Sequence, residues 1–174
     1  MKKLWFSLLV TGLTIGLATP ALALKVGSKV TPVKIKDAND RPAWTPDIGK
    51  KVLTVFYTDP DVKDMNEPFR EVLNNSNLDL KKYRGYGVVN LKDTWKPNFI
   101  IRKVIRGKIE KFKSTILTDP DNAFKKSWRL GDCNEKDVVI IVGKDKKVYY
   151  VKKTKMSAGE IKKALKLIEE LMAK

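Results

Sequence analysis

Apolar residues along this chain follow two rhythms, one belonging to strands and one to helices. Val52-Leu53-Thr54-Val55-Phe56-Tyr57 is β-branched, aromatic and nearly unbroken, which predicts a central strand covered on both faces. Tyr86 to Leu91 and the shorter Thr115-Ile116-Leu117 are runs of the same kind. Lys29 to Ile35 alternates polar and apolar, with Val30, Val33 and Ile35 as the apolar members, and reads as a first strand. Val138–Val142 and Val148–Val151 are separated only by Gly143 to Lys147, a spacing that suits an antiparallel hairpin. Between these runs the period lengthens. Phe69, Val72 and Leu73 make a short stripe after Asp61 or Asp64, either of which can cap a helix. Trp95 to Lys113 carries Phe99, Ile100, Ile101, Val104, Ile105 and Phe112, with Pro97 in the first turn. Ala123 to Leu130 is a brief helix expected to close at Gly131. Ser157 with Glu160 forms a capping box before Ile161, Ala164, Leu165, Ile168 and Leu171. Asp37 to Lys50, rich in Asn, Asp, Pro and Gly, is expected to be loop. The predicted order is β, β, α, β, α, β, α, β, β, α.

The first 23 residues break this pattern. Lys2 and Lys3 precede an apolar stretch from Leu4 to Leu17, Pro20 ends it, and Ala21-Leu22-Ala23 has small residues at the cleavage spacing. This is the layout of a secretory signal peptide cleaved after Ala23. The core falls short of the roughly 20 apolar residues a spanning helix needs. Residues 24–174 are then one domain by size, exported to a periplasm and not membrane-spanning after cleavage.

Composition narrows the chemistry. The chain has 174 residues, 36 Lys+Arg against 20 Asp+Glu, no His and one Cys. Catalysis by a Ser-His-Asp triad, a Cys-His pair or a His general base is excluded, as is an HExxH zinc site. A single thiol forms no intrachain disulfide and no CxxC pair. The formal charge is +16, two less without Lys2 and Lys3. It gives long-range attraction for anionic partners. Arg102, Lys103, Arg106, Lys108, Lys111 and Lys113 share one predicted helix. Export argues against nucleic acid as that partner and favours an anionic envelope component or an acidic protein.

Two parallel crossovers followed by a hairpin and a terminal helix predict an α/β fold, a thioredoxin-like mixed sheet with helices on both faces. Phe56 to Met65 is similar to the active-site segment of secreted thioredoxin-like proteins, with Asp61 and Asp64 standing where that family has two cysteines. Asp137 stands at the place of its cis-proline. Three longer strings carry a closer resemblance: Tyr57 to Pro68, Asp93-Thr94-Trp95-Lys96-Pro97-Asn98-Phe99-Ile100-Ile101-Arg102, and Leu130-Gly131-Asp132-Cys133-Asn134. On these the mature chain resembles the YtfJ family of exported thioredoxin-like proteins. The resemblance implies fold and compartment and brings no settled activity with it.

Thr-Asp-Pro-Asp occurs twice, at 58–61 and 118–121, each time after an apolar strand. Carboxyl ends of parallel strands are where α/β folds bind ligands. Asp59, Asp61, Asp64, Trp95, Asp119, Asp121, Asp132 and Cys133 are therefore the candidate rim. Carboxylates gathered there would suit Ca²⁺ or Mg²⁺, but turn and cap chemistry explains them more simply, and no cofactor is expected. Cys133 lies among Asp132, Glu135 and Asp137, which oppose thiolate formation, with Lys136 the nearest cation in sequence. The expectation is a non-enzymatic binding module of the periplasm, lacking the CxxC pair, that recognises an unidentified protein or anionic envelope component. The alternative is a single-cysteine thiol protein acting through Cys133 by mixed disulfide or sulfenate chemistry.

Overall fold

A strand with almost no polar break must be sandwiched, and all seven residues of Val52–Thr58 are buried. The computed structural model describes residues 23–174, so the expected leader, apart from Ala23, lies outside the described residues. The strands are β1 (Lys34–Lys36), β2 (Pro42–Trp44), β3 (Val52–Thr58), β4 (Tyr83–Asn90), β5 (Ile116–Asp119), β6 (Asp137–Val142) and β7 (Val148–Lys152). The helices among the described residues are α1 (Glu67–Asn75), α2 (Asn98–Phe112), α3 (Ala123–Ser127) and α4 (Ala158–Met172), and a 3-10 turn spans Pro60–Val62.

The strands form one mixed sheet in the order β2-β1-β5-β4-β3-β6-β7. β3, β4 and β5 run parallel, while β6 is antiparallel to β3 and β7 to β6. The chain steps from β3 to β4 to β5 in one direction. Right-handed crossovers then place α1 and α2 on the same face. On that face Val52, Phe56, Val139 and Ile141 meet Phe69 of α1 and Ala164, Ile168 and Leu171 of α4. Ile101 and Ile105 of α2 form a smaller cluster with Ala38 and Leu91, over Val89 and Ile116. The opposite face packs Leu53, Val55, Tyr57, Val88 and Ile140 against Phe124 of α3, the Trp128, Leu130 and Cys133 that follow it, and Val30, Val33 and Ile48 before β3. Each fully buried Val, Leu or Phe in these clusters contributes about 1.5–3 kcal/mol by leaving water.

Several boundaries differ from expectation, each for a local reason. The first strand is confined to Lys34–Lys36, although Lys29 still bridges Lys147. The expected loop contains β2, which pairs with β1 at the edge of the sheet, where Pro42 is tolerated. Neither Asp61 nor Asp64 caps α1. Asp59 accepts from the Asp61 N–H and starts the 3-10 turn, and α1 begins after Asn66 with Pro68 in its first turn. Pro97 stands at the cap of α2, one position before the helix. Helix α3 closes before Gly131. The Leu130 N–H donates to the Lys125 carbonyl and the Arg129 N–H to that of Lys126, with Arg129 itself left-handed at φ 53°. This is the Schellman closure, with an arginine where glycine is usual. The capping box of α4 forms as expected between Ser157 and Glu160.

Candidate functional site

The carboxyl ends of β3, β4 and β5 and the amino end of β6 meet along one edge of the sheet. Register explains the meeting: Thr58 pairs with Val89 on one side and with Asp137 on the other. Every candidate from the sequence lies at this edge or on the loops leaving it, but the side chains do not converge on a common concavity. They divide into a buried half and an exposed half.

The buried half is a pair of polar networks. On the α3 side the Tyr57 hydroxyl donates to Asp119 Oδ2 at 3.1 Å, and the Lys125 N–H donates to the same oxygen at 3.1 Å. Asp119 is fully buried. Lys125 Nζ lies 2.6 Å from Asp93 Oδ2, which also accepts from Asn90 Nδ2 at 2.9 Å. The Lys125 ammonium holds the Asp93 carboxyl below its ordinary range, assisted by Asn90 and Asn122. Burial, reinforced by Asp119, pushes the Tyr57 phenol up. This network ties the start of α3 to the ends of β3 and β4.

On the α1 side Arg70 Nη2 donates to Asp137 Oδ1 and Oδ2 at 3.0 and 2.9 Å, while Thr58 Oγ1 donates to Oδ1 at 2.6 Å. Asp137 is fully buried, and the Arg70 guanidinium also sits 4.3 Å over the Phe56 ring. Asn66 donates through Nδ2 to the Asp137 carbonyl at 3.1 Å and accepts from the Met156 N–H at 2.8 Å. A buried carboxylate survives only with such partners. Arg70 and Asn66 were not singled out in the sequence. The one local hint is a cation and an amide on either side of Phe69, on a helix whose apolar face is narrow.

Asp59 belongs to this scaffold too. Its two oxygens accept the N–H groups of Asp61 and Glu135, at 2.9 and 2.8 Å, so it joins the 3-10 turn to the loop before β6. Cys133 is buried, with its thiol 3.6 Å from the Gly131 carbonyl. Burial pushes that thiol up, and the nearby Lys153 and Lys125 charges offset this only in part. Lys136, the nearest cation in sequence, is instead bound to Asp132, whose carboxyl it holds below the ordinary range.

The exposed half surrounds the 3-10 turn that follows β3. Asp61 Oδ1 pairs with Lys96 Nζ at 2.5 Å, and Thr94 Oγ1 approaches Asp61 Oδ2 at 3.5 Å. Asp64 pairs with its neighbour Lys63, and this contact lowers its carboxyl pKa. Residues Pro60 to Met65 together with Lys96 line an open depression of about 390 Å³. Trp95 stands beside it, 81% exposed. Asp121 points elsewhere, into a smaller hollow of about 210 Å³ with Lys34, Lys36 and Pro42. Among the described residues no three Cys, Asp or Glu side chains are grouped to hold a metal ion.

Residues 47–171 match the family described as "Bacterial protein of unknown function (YtfJ_HI0045)". The chain belongs to the YtfJ family. An uncharacterised protein of Haemophilus influenzae is 26% identical to this YtfJ-family chain over 186 residues, covering 98% of it and 99% of the relative. Solved structures share its fold at low identity. A peroxiredoxin-like protein from Aquifex aeolicus superposes with a TM-score of 0.60 at 14% identity, over 87% of this chain and 90% of that one. A member of the Sco family of cytochrome c oxidase assembly proteins gives 0.61 at 11%, over 88% and 99%. The exposed lipoprotein thioredoxin of Streptococcus pneumoniae gives 0.59 at 12%, over 79% and 99%. The fold is thioredoxin-like: a seven-stranded mixed sheet with helices on both faces in one domain.

Proposed function

We propose that this YtfJ-family protein is an exported, non-enzymatic binding module that recognises a protein or envelope component through the exposed half of its rim. One observation carries the reading. After β3 this chain exposes Asp61 and Asp64, which the resemblance to thioredoxin-like proteins would set in the place of two thiols, beside Lys96 and Trp95, while its one thiol is buried. An exposed indole next to a carboxylate–ammonium pair offers an apolar surface and oriented charge, the elements of recognition. The polar networks behind it tie Asp119, Asp137 and Asp59 to neighbouring elements, and a surface held in place in this way lowers the entropy cost of binding. The thiol reading finds less support, because an attacking sulfur must be ionised and accessible.

The compartment follows from the first 23 residues, whose pattern is that of a cleaved leader. The test is photocrosslinking in the living cell from position 95. Expected is one dominant adduct, formed with a chain whose measured mass begins at Leu24, and weakened by Asp61→Lys. Indiscriminate adducts, or adducts formed equally from the exposed position 80 before the amino end of β4, would remove the rim as the recognition site.

A further inference from the structure

Helix α2 has a second apolar face that nothing in the fold covers. Of its fifteen residues only Ile101, Arg102 and Ile105 are buried. Arg102 is committed inward: it donates to the Asp37 carbonyl and Thr118, and pairs with Asp40 at 2.7 Å. Arg106 likewise donates to the Ala38 carbonyl. These two cations anchor the helix to the segment after β1 and do not serve as surface charge, contrary to what a count of basic residues along the helix suggests.

The outward face is different. Positions 96, 99, 100, 103, 104, 107 and 111 recur at helical spacing and form one row. Phe99 is 72% exposed, Val104 51% and Ile100 46%; Phe112 closes the far end and Trp95 the near end. Gly107 leaves the middle of the row without a side chain. Lys103, Lys108, Lys111 and Lys113 border the apolar side chains. Among the described residues none of these four has a carboxylate within ion-pair distance. Glu110 is the one acid on this face.

We infer that this face of α2 is a docking surface for an anionic phospholipid bilayer. The occupant follows from shape and charge together. The face is the convex side of a helix, with no groove to seat a peptide or a partner helix. Apolar side chains interleaved with lysines over the exposed side of one helix match a plane whose outer layer is anionic and whose next layer is hydrocarbon. Lysine stems reach upward from such a plane to the headgroups, and an indole is stable at the boundary. Four to five apolar side chains are too few for irreversible insertion, so attachment is peripheral and reversible. The net positive charge of the whole chain adds attraction at long range. This goes beyond rim recognition and shares only Trp95 and Lys96 with it, and the variants at positions 100, 103, 104 and 111 of α2 test it apart from the rim.

The experiment is cosedimentation of the protein as isolated, its N-terminus defined by mass, with vesicles of phosphatidylcholine alone or mixed with phosphatidylglycerol. Expected is binding to the mixed vesicles only, fading as salt rises. The pair Lys103→Glu with Lys111→Glu is expected to weaken it at least about tenfold. Ile100→Ser with Val104→Ser is expected to weaken it by about tenfold as well. All four positions are exposed, so both variants are expected to unfold at the wild-type midpoint. A second measurement leaves α2 itself unaltered: brominated acyl chains should quench a component of the tryptophan fluorescence that disappears in Trp95→Phe. Equal binding to neutral vesicles would overturn the inference. So would wild-type binding by both variants, which is what a retained leader acting alone would give. Absence of vesicle binding, with capture of an acidic protein from position 104 instead, would also overturn it and assign the face to a protein partner.

Discussion

Arg70 and Asp137 lie 67 positions apart in sequence, yet their contact holds the centre of the rim. Asp137 is fully buried, so removing its partner strands a charge in the interior. Arg70→Met is expected to cost about 3–5 kcal/mol in denaturant unfolding. Arg70→Met combined with Asp137→Leu should recover much of that loss, because an apolar pair needs no counter-charge. A double variant no more stable than the single one would mean that the hydrogen bonds to Thr58 and Arg70 matter more than the charge. Cys133 makes a second test of burial. Its thiol is pushed up by desolvation, so the neutral form is favoured in the folded chain. Alkylation at neutral pH is expected to be far slower than in the unfolded protein and to rise with pH beyond the ordinary thiol range. Any stability this raised pKa confers is present at low pH and is lost as pH climbs past the unfolded value. Rapid labelling of the native protein at neutral pH would return Cys133 to consideration as a reactive group.

Helix starts show how neighbouring carboxylates take different tasks. Asp59, Asp61 and Asp64 all precede α1, yet only Asp59 caps anything, and what it caps is the 3-10 turn. Asn66 occupies the cap of α1 while its side chain is spent on Asp137 and Met156. Helix α4 is the opposite case, because its start is complete in the sequence. The Lys152 ammonium is the main cause holding Glu160 down to about 2 from an ordinary 4.5, and the Ser157 N–H and hydroxyl add to it. The folded value is depressed, so the contribution is present above the unfolded value and is lost as pH falls from about 4.5 toward 2. Acid titration followed by the near-ultraviolet signal of Tyr150, beside this contact, should show loosening in that window. Glu160→Gln is expected to flatten it. Replacing Ser157 by Ala removes a cap and should cost about 1 kcal/mol at neutral pH.

Considered as one object, the molecule combines a thioredoxin-like sheet with a single thiol. An internal disulfide cannot cycle with one buried thiol, so insulin-disulfide reduction is expected to stay at the uncatalysed rate. Catalysis at a rate typical of dithiol proteins would contradict this whole account of the rim. Strand β3, the hairpin of β6 and β7 and the capping box of α4 were legible in the chain, because a strand or helix buried on a known face writes its period locally. The edge strand β2 was not, since Pro42 to Trp44 reads as loop until β1 offers its free edge. The rim shows the same division. Asp61, Asp64, Trp95, Asp119 and Cys133 could be assigned to one sheet edge from strand order alone, because chain topology carries each strand end there. Which of them face outward depended on partners far away in sequence. Asp119 turns inward because Tyr57, two strands away in the same sheet, offers it a hydroxyl. Cys133 is buried because Leu130 and Trp128 draw its loop into the core. Lys96 holds Asp61 at the surface. Periodicity reports only how a segment divides between core and water. Hydrogen bonds and ion pairs fall off within a few ångströms, so their pattern exists only once folding has brought distant positions together.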